Sequence, residues 1–145
     1  MTEIAKTKAA ECEINNIHFE RATIFENNFT KDNFDVILAL NLLHGLDNIQ
    51  KVIEKIYVLL KPDGLFLSST PCLAEKMSFG TRFQFSIFHI FSKTGLIPFH
   101  VKKFKFSELK SCIIDGSFQL IDSEILFQNL SSYFIVAKKP NNTGV

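Results

Sequence analysis

Phe34-Asp35-Val36-Ile37-Leu38-Ala39-Leu40 runs into Asn41-Leu42-Leu43-His44, and after sixteen more residues comes Lys61-Pro62-Asp63-Gly64-Leu65-Phe66-Leu67-Ser68-Ser69-Thr70. These two stretches decide the fold. The first is nearly all apolar between turn signals, the pattern of a strand buried on both faces. After Asp47, a good N-cap residue, the period changes: Ile49, Val52, Ile53, Ile56, Leu59 and Leu60 recur at three- and four-residue intervals, as one helix face does. The helix is expected to stop in a turn at Lys61-Pro62-Asp63-Gly64, before a strand from Leu65 to Thr70. Strand, helix, turn and strand make a βαβ unit with adjacent parallel strands.

Toward the amino end, Glu3 to Glu13 is rich in Ala, Lys and Glu and predicts a helix closed by Asn15-Asn16. Ile17 to Ala22 alternates apolar and polar residues and predicts a short strand. Toward the carboxyl end, Phe85, Phe88 and Phe91 sit at helical spacing, which predicts a helix from about Thr81 to Lys93. Ser107 is placed to cap a short helix, Glu108 to Asp115, that Gly116 stops. Phe118 to Phe127 and Tyr133 to Lys138 then read as an antiparallel hairpin. The alternation predicts an α/β layered sheet: one domain over residues 1–139, a Phe-rich segment at 76–103 and a loose tail at 140–145.

Composition limits function. The chain has 145 residues, 46% of them hydrophobic, and a net charge of +1, which argues against a basic nucleic-acid surface. Three widely spaced cysteines fit neither a disulfide framework nor a zinc site, so no metal is expected and a reducing cytoplasm is the expected location. No apolar run is long enough to span a membrane. There are six glycines, and none precedes Gly45.

The segment Phe34 to His44, the following helix, Leu59-Leu60-Lys61-Pro62-Asp63-Gly64 and Leu65 to Thr70 resembles the second half of a class I S-adenosylmethionine-dependent methyltransferase. The ending, Phe106-Ser107-Glu108-Leu109 through Gly116-Ser117-Phe118 to the last hairpin, is similar to that family too. The resemblance implies a Rossmann-like methyltransferase sheet lacking its first two strands, with a C-terminal antiparallel hairpin. In the family a glycine-rich loop holds the cofactor's methionine end, because only glycine lets backbone approach a ligand closely. With no glycine before Gly45, binding of S-adenosylmethionine by this chain alone is expected to be weak or absent.

The resemblance also implies sites. Thr23 and Ile24 follow the family's third strand, where the adenine amino group is bonded; Thr23 is otherwise a polar strand end. Leu40 and Asn41 lie against the cofactor, at the carboxyl edge where α/β sheets bind ligands. His44, just beyond, is the candidate catalytic base, or else a structural histidine. Cys72 is either a nucleophile or, better, a small buried neighbour of the pocket. The Phe-rich segment would cap an acceptor pocket, implying an apolar or aromatic small-molecule acceptor. It also reads as a core helix or, with the flanking lysines, as a helix lying on a membrane surface.

Two functions follow: methyl transfer from S-adenosylmethionine, impaired in this chain alone, or a non-catalytic remnant that acts as a scaffold through association. In the family's sheet another strand lies beside Phe34–Leu40. Without it that apolar strand is a bare edge, to be filled by Ile17–Ala22 or by a second copy of the chain.

Overall fold

Phe34–Leu40 forms β1 and Leu60–Pro71 forms β2, paired in parallel from Val36 against Leu65 to Leu40 against Ser69. The structure is a computed structural model, and it describes residues 2–26, 28–72, 105–127 and 131–141. Between the strands runs α2, Ile49–Leu59, which follows α1, Thr2–Glu11. Phe106–Asp115 forms α3, and the chain closes with β3, Gln119–Phe127, and β4, Ser131–Lys138. The four-stranded sheet has the order β1-β2-β4-β3, with β4 antiparallel to both neighbours. The parallel pair and the terminal hairpin are those read from the sequence.

One face of the sheet carries the core. Ile37 and Ala39 of β1, Phe66 of β2, and Tyr133, Ile135 and Ala137 of β4 point to it. Ile53 and Ile56 of α2 and Leu109 and Ile113 of α3 cover them. The Phe118 ring lies 5.5 Å from that of Phe66 and 5.2 Å edge-on from Tyr57. The other face of β1 is open, contrary to the expectation of a strand buried on both sides. Val36, Leu38 and Leu40 are 48%, 59% and 59% exposed. The two helices that follow β1 and β2 among the described residues pack on the same side, which leaves the alternate residues uncovered.

Other local readings need correction. Ile17–Ala22 is not a strand: it has no ladder partner, and Ile17 is exposed. Alternation stabilises a strand only where an edge receives it. Here the flanking backbone bonds locally instead, Ile14 N–H to the Ala9 carbonyl at 2.9 Å and Glu26 N–H to that of Thr23 at 3.0 Å. The cap of α2 is Asn48, whose Oδ1 accepts from the Lys51 N–H at 3.2 Å, rather than Asp47. Ser107 lies inside α3, because the Glu108 carboxylate reaches back to the Lys105 N–H at 3.0 Å and the helix begins at Phe106.

Lys61-Pro62-Asp63-Gly64 does follow the end of α2, but as a bulge within β2. The partners step from Phe34–Leu60 to Val36–Leu65 across it. Asp63 takes the left-handed conformation (φ 63°), and a Cβ on Gly64 would stand 2.8 Å from the Lys61 carbonyl oxygen. Gly116 caps α3 with an ordinary φ of −75°. Its requirement is space, since a Cβ there would collide with the Ile53 Cγ2. The helix reading for Thr81–Lys93 and the Phe-rich segment 76–103 lie outside the described residues. So does the tail beyond Asn141.

Lys139 ties the end of β4 to the start of β2 and to the residues leading into β1. Its buried Nζ donates to Asp32 Oδ1 at 2.7 Å and to the Leu60 carbonyl at 2.6 Å, and lies 4.9 Å from the Tyr57 ring centroid. The Lys139 ammonium also holds the Asp32 carboxyl below the usual carboxylate range. A carboxylate lowered in the folded state stabilises above its unfolded pKa, and that contribution is lost as pH falls through the folded value. Lys139→Met is therefore expected to lower stability at pH 7 and to lose less on acidification than the parent, measured by urea unfolding at neutral and acidic pH. Gly116→Ala should cost about 1–3 kcal/mol through the clash with Ile53.

Candidate functional site

The carboxyl ends of β1 and β2 set the geometry. β1 stops because Asn41 turns left-handed (φ 52°) while its N–H still donates to the Ser69 carbonyl at 2.8 Å. Asn tolerates that conformation better than most residues. The chain then tightens into a 3₁₀ turn, Leu43–Gly45, with the Gly45 N–H on the Leu42 carbonyl at 3.0 Å. Leu43 is buried in the core and anchors the turn, which leaves Leu40, Asn41 and Leu42 exposed at the edge.

His44 sits on this anchored turn, partly buried, and its Nδ1 is buried with no hydrogen-bond partner. Burial pushes the imidazole pKa below its ordinary value. The orphan Nδ1 acts in the same direction, since an imidazolium would bury an N–H with nothing to receive it. The ring is neutral at pH 7 and can accept a proton.

Beneath the turn, β2 turns Ser68 and Thr70 onto the core face, fully buried, and neither hydroxyl has a partner. Cys72 is buried just beyond, its thiol donating to the Thr70 carbonyl at 3.6 Å. That placement fits a small buried neighbour rather than an accessible nucleophile. The sequence reading missed the Ser68 and Thr70 pair. The signal was present: both share the two-residue period of Phe66, so they had to face inward with it.

The other candidates divide. Leu40, Asn41 and His44 come together on one strand end. Thr23 is exposed and opens a tight turn, with its N–H on Glu26 Oε1 at 2.9 Å and its Oγ1 weakly accepting from Phe25 at 3.5 Å. It ends no strand, and its hydrogen bonds stay inside its own turn. Ile24 beside it packs against the core cluster that holds Leu43.

A family model for a methyltransferase domain matches residues 1–123. The chain belongs to the methyltransferase-domain family. It is 31% identical over 67 residues to the uncharacterized methyltransferase YcgJ of Bacillus subtilis, covering 46% of this chain and 26% of that protein. It is 36% identical over 72 residues to the phosphoethanolamine N-methyltransferase of Plasmodium falciparum, covering 48% and 27%. The matches thus span about a quarter of these curated relatives.

In three dimensions the chain superposes on the YcgJ crystal structure with a TM-score of 0.70 at 18% identity, covering 97% of this chain and 78% of that one. The N1-methyltransferase of Burkholderia thailandensis that acts on 1,6-didemethyltoxoflavin, solved with that compound and S-adenosylhomocysteine, gives a TM-score of 0.65 at 19% identity. That match covers 93% of this chain and 56% of that one. These likenesses establish the Rossmann-like methyltransferase fold. S-adenosylmethionine is the donor that such a family implies.

At the end of β1 the exposed Leu40 and Asn41 present an apolar side chain beside an amide, while Thr23 lies on a separate turn. No glycine precedes Gly45. No helix among the described residues is long and apolar enough to cross a membrane.

Two outcomes check this geometry. Thr70→Val keeps the shape and removes an unpartnered buried hydroxyl, so thermal unfolding should show it neutral or stabilising. Thr70→Ala should destabilise by leaving a void. Because the folded state holds the His44 pKa below the unfolded value, the unfolded chain binds more protons as pH falls below that value. His44 therefore subtracts stability as pH falls below its unfolded pKa, and His44→Gln should flatten that limb of a urea-unfolding series.

Proposed function

We propose that this chain carries the acceptor side of an S-adenosylmethionine-dependent methyltransferase that acts on a small apolar or aromatic acceptor in the cytoplasm. The observation that supports this most is the neutral, partly buried His44 on a turn fixed at the carboxyl edge of a parallel strand pair. Ligands of open α/β sheets bind at that edge. The adenosine end rests on Leu40 and Asn41, with Ile24 and Thr23 on the neighbouring loop. When bound, the donor supplies an electrophilic methyl group on a sulfonium sulfur.

His44 accepts the proton that the acceptor sheds. Its neutrality at pH 7 suits it to that role, and base catalysis of this kind contributes roughly 10²–10⁴-fold. Because its pKa lies below the ordinary value, the contribution of the base should fade only below the pH at which an ordinary histidine protonates.

Methyl transfer also needs the donor aligned with the acceptor, and alignment contributes more than the base does. Residues 1–145 bring no glycine-rich cradle for the donor's methionyl end, so transfer by this chain alone is impaired. A second reading, a scaffold that works by association, is favoured by the exposed apolar Val36, Leu38 and Leu40 of β1.

Titration calorimetry and labelled methyl transfer separate the two. S-adenosylmethionine should bind more weakly than about 1 µM, a free energy smaller in magnitude than about 8 kcal/mol. With a panel of small aromatic and apolar amines and phenols, slow label transfer should fall at least about 100-fold in His44→Gln. An unchanged rate removes His44 as the base. A folded chain that neither binds donor nor transfers label supports the scaffold reading.

A further inference from the structure

Three glycines lie among the described residues, and packing explains two of them. A Cβ on Gly64 would press on the Lys61 carbonyl, and one on Gly116 would collide with Ile53. Gly45 differs. Apart from its chain neighbours and the backbone of its own turn, no atom of the described residues lies within 4 Å of the place its Cβ would take. Its φ also lies outside the left-handed region. It closes the 3₁₀ turn Leu43–Gly45, and its N–H bonds the Leu42 carbonyl at 3.0 Å as that of any residue but proline could. Glycine there loses backbone entropy on folding and gains nothing in packing. What it provides is open space beside bare main chain.

That space adjoins the candidate base. His44 is the preceding residue, its Cα about 3.8 Å away. Nδ1 is the buried nitrogen of its ring, so Nε2 is the one that an outside group can reach. A molecule that hands a proton to Nε2 comes within about 3 Å of it, and the main chain of Gly45 then lies alongside. The surroundings are uncharged. From Val36 to Leu46 there is no Asp, Glu, Lys or Arg, and Leu42 beside the turn is exposed. No ionised side chain in that stretch balances a charged acceptor.

We propose that Gly45 sets the shape of the acceptor: a flat, uncharged aromatic ring lies on the bare main chain of Gly45, with its hydroxyl or amine at His44 Nε2. Placing the reacting group at Nε2 rests on the reading of His44 as the base, and the shape selection goes beyond it. A planar ring reaches contact distance over its whole face where there is no Cβ. A saturated ring carries hydrogens above and below its mean plane and stands further off. A side chain at position 45 lifts either ring away from the turn.

Titration of the ¹⁵N-labelled chain with 2-naphthol, and with its saturated counterpart 2-decalol, tests this. 2-Naphthol should shift the Gly45 and Leu46 amides and the His44 ring signals, and 2-decalol should need a concentration at least about 10-fold higher. Gly45→Ala and Gly45→Val should both fold, with the thermal midpoint of Gly45→Ala at or above that of the parent, because the added Cβ meets open space. Gly45→Val should weaken 2-naphthol binding at least about 10-fold, with Gly45→Ala between it and the parent. His44→Gln keeps the two readings apart. Label transfer unchanged in His44→Gln, with the Gly45→Val loss still present, removes the base and leaves the ring site standing. Parent amides that ignore 2-naphthol, an equal response to 2-decalol, or undiminished binding in both Gly45 variants overturns the proposal.

Discussion

Parallel pairing of β1 on β2 constrains the rest of this molecule. Two parallel strands cannot be joined by a hairpin, so the chain must leave the sheet, cross one face and return. α2 makes that crossing, and its apolar stripe of Val52, Ile53 and Ile56 becomes the roof of the core. The same constraint places the Asn41–Gly45 turn at the carboxyl edge, where the chain must reverse before α2 can begin. Core and candidate site are thus two results of one topological requirement. Leu43, anchored in the core one residue before His44, joins them physically.

The two faces of the sheet are not equivalent. α2 and α3 close one of them around Phe66, Ile135 and Leu109. The other keeps the outward residues of β1 in solvent. Exposed apolar surface along an edge strand is costly in water and is normally covered. The fold by itself does not settle the chemistry. The site argument rests on His44, whose burial and unpartnered Nδ1 both hold it neutral.

Elements with a strong period were legible in the sequence. The five buried residues of α2 are all among those whose spacing predicted its inner face, and the parallel pair and hairpin follow the same logic. What could not be read was whatever depends on a neighbour. Ile17–Ala22 alternates as a strand does, but it pairs with no strand, and the backbone on either side of it bonds locally. Asn48 and Asp47 are equally good caps in isolation, and backbone geometry chose between them. Gly116 looked like a helix stop and is one, although the close approach of Ile53 is a tertiary fact. At the site, Asn41 and His44 were placed by their position after a strand. The orphan hydroxyls of Ser68 and Thr70 needed the register of β2 to be seen.

The central claim is that a methyl donor's adenosine end meets the chain at the end of β1 and the Thr23–Ile24 loop. Amide chemical shifts of the ¹⁵N-labelled chain, followed while S-adenosylhomocysteine is raised to millimolar concentration, test it most directly. The account predicts fast-exchange shifts at Ile24, Leu40, Asn41 and His44, with β3 and the far end of β4 unmoved. Stationary signals at those four amides, or shifts concentrated on the β3–β4 hairpin, would contradict it.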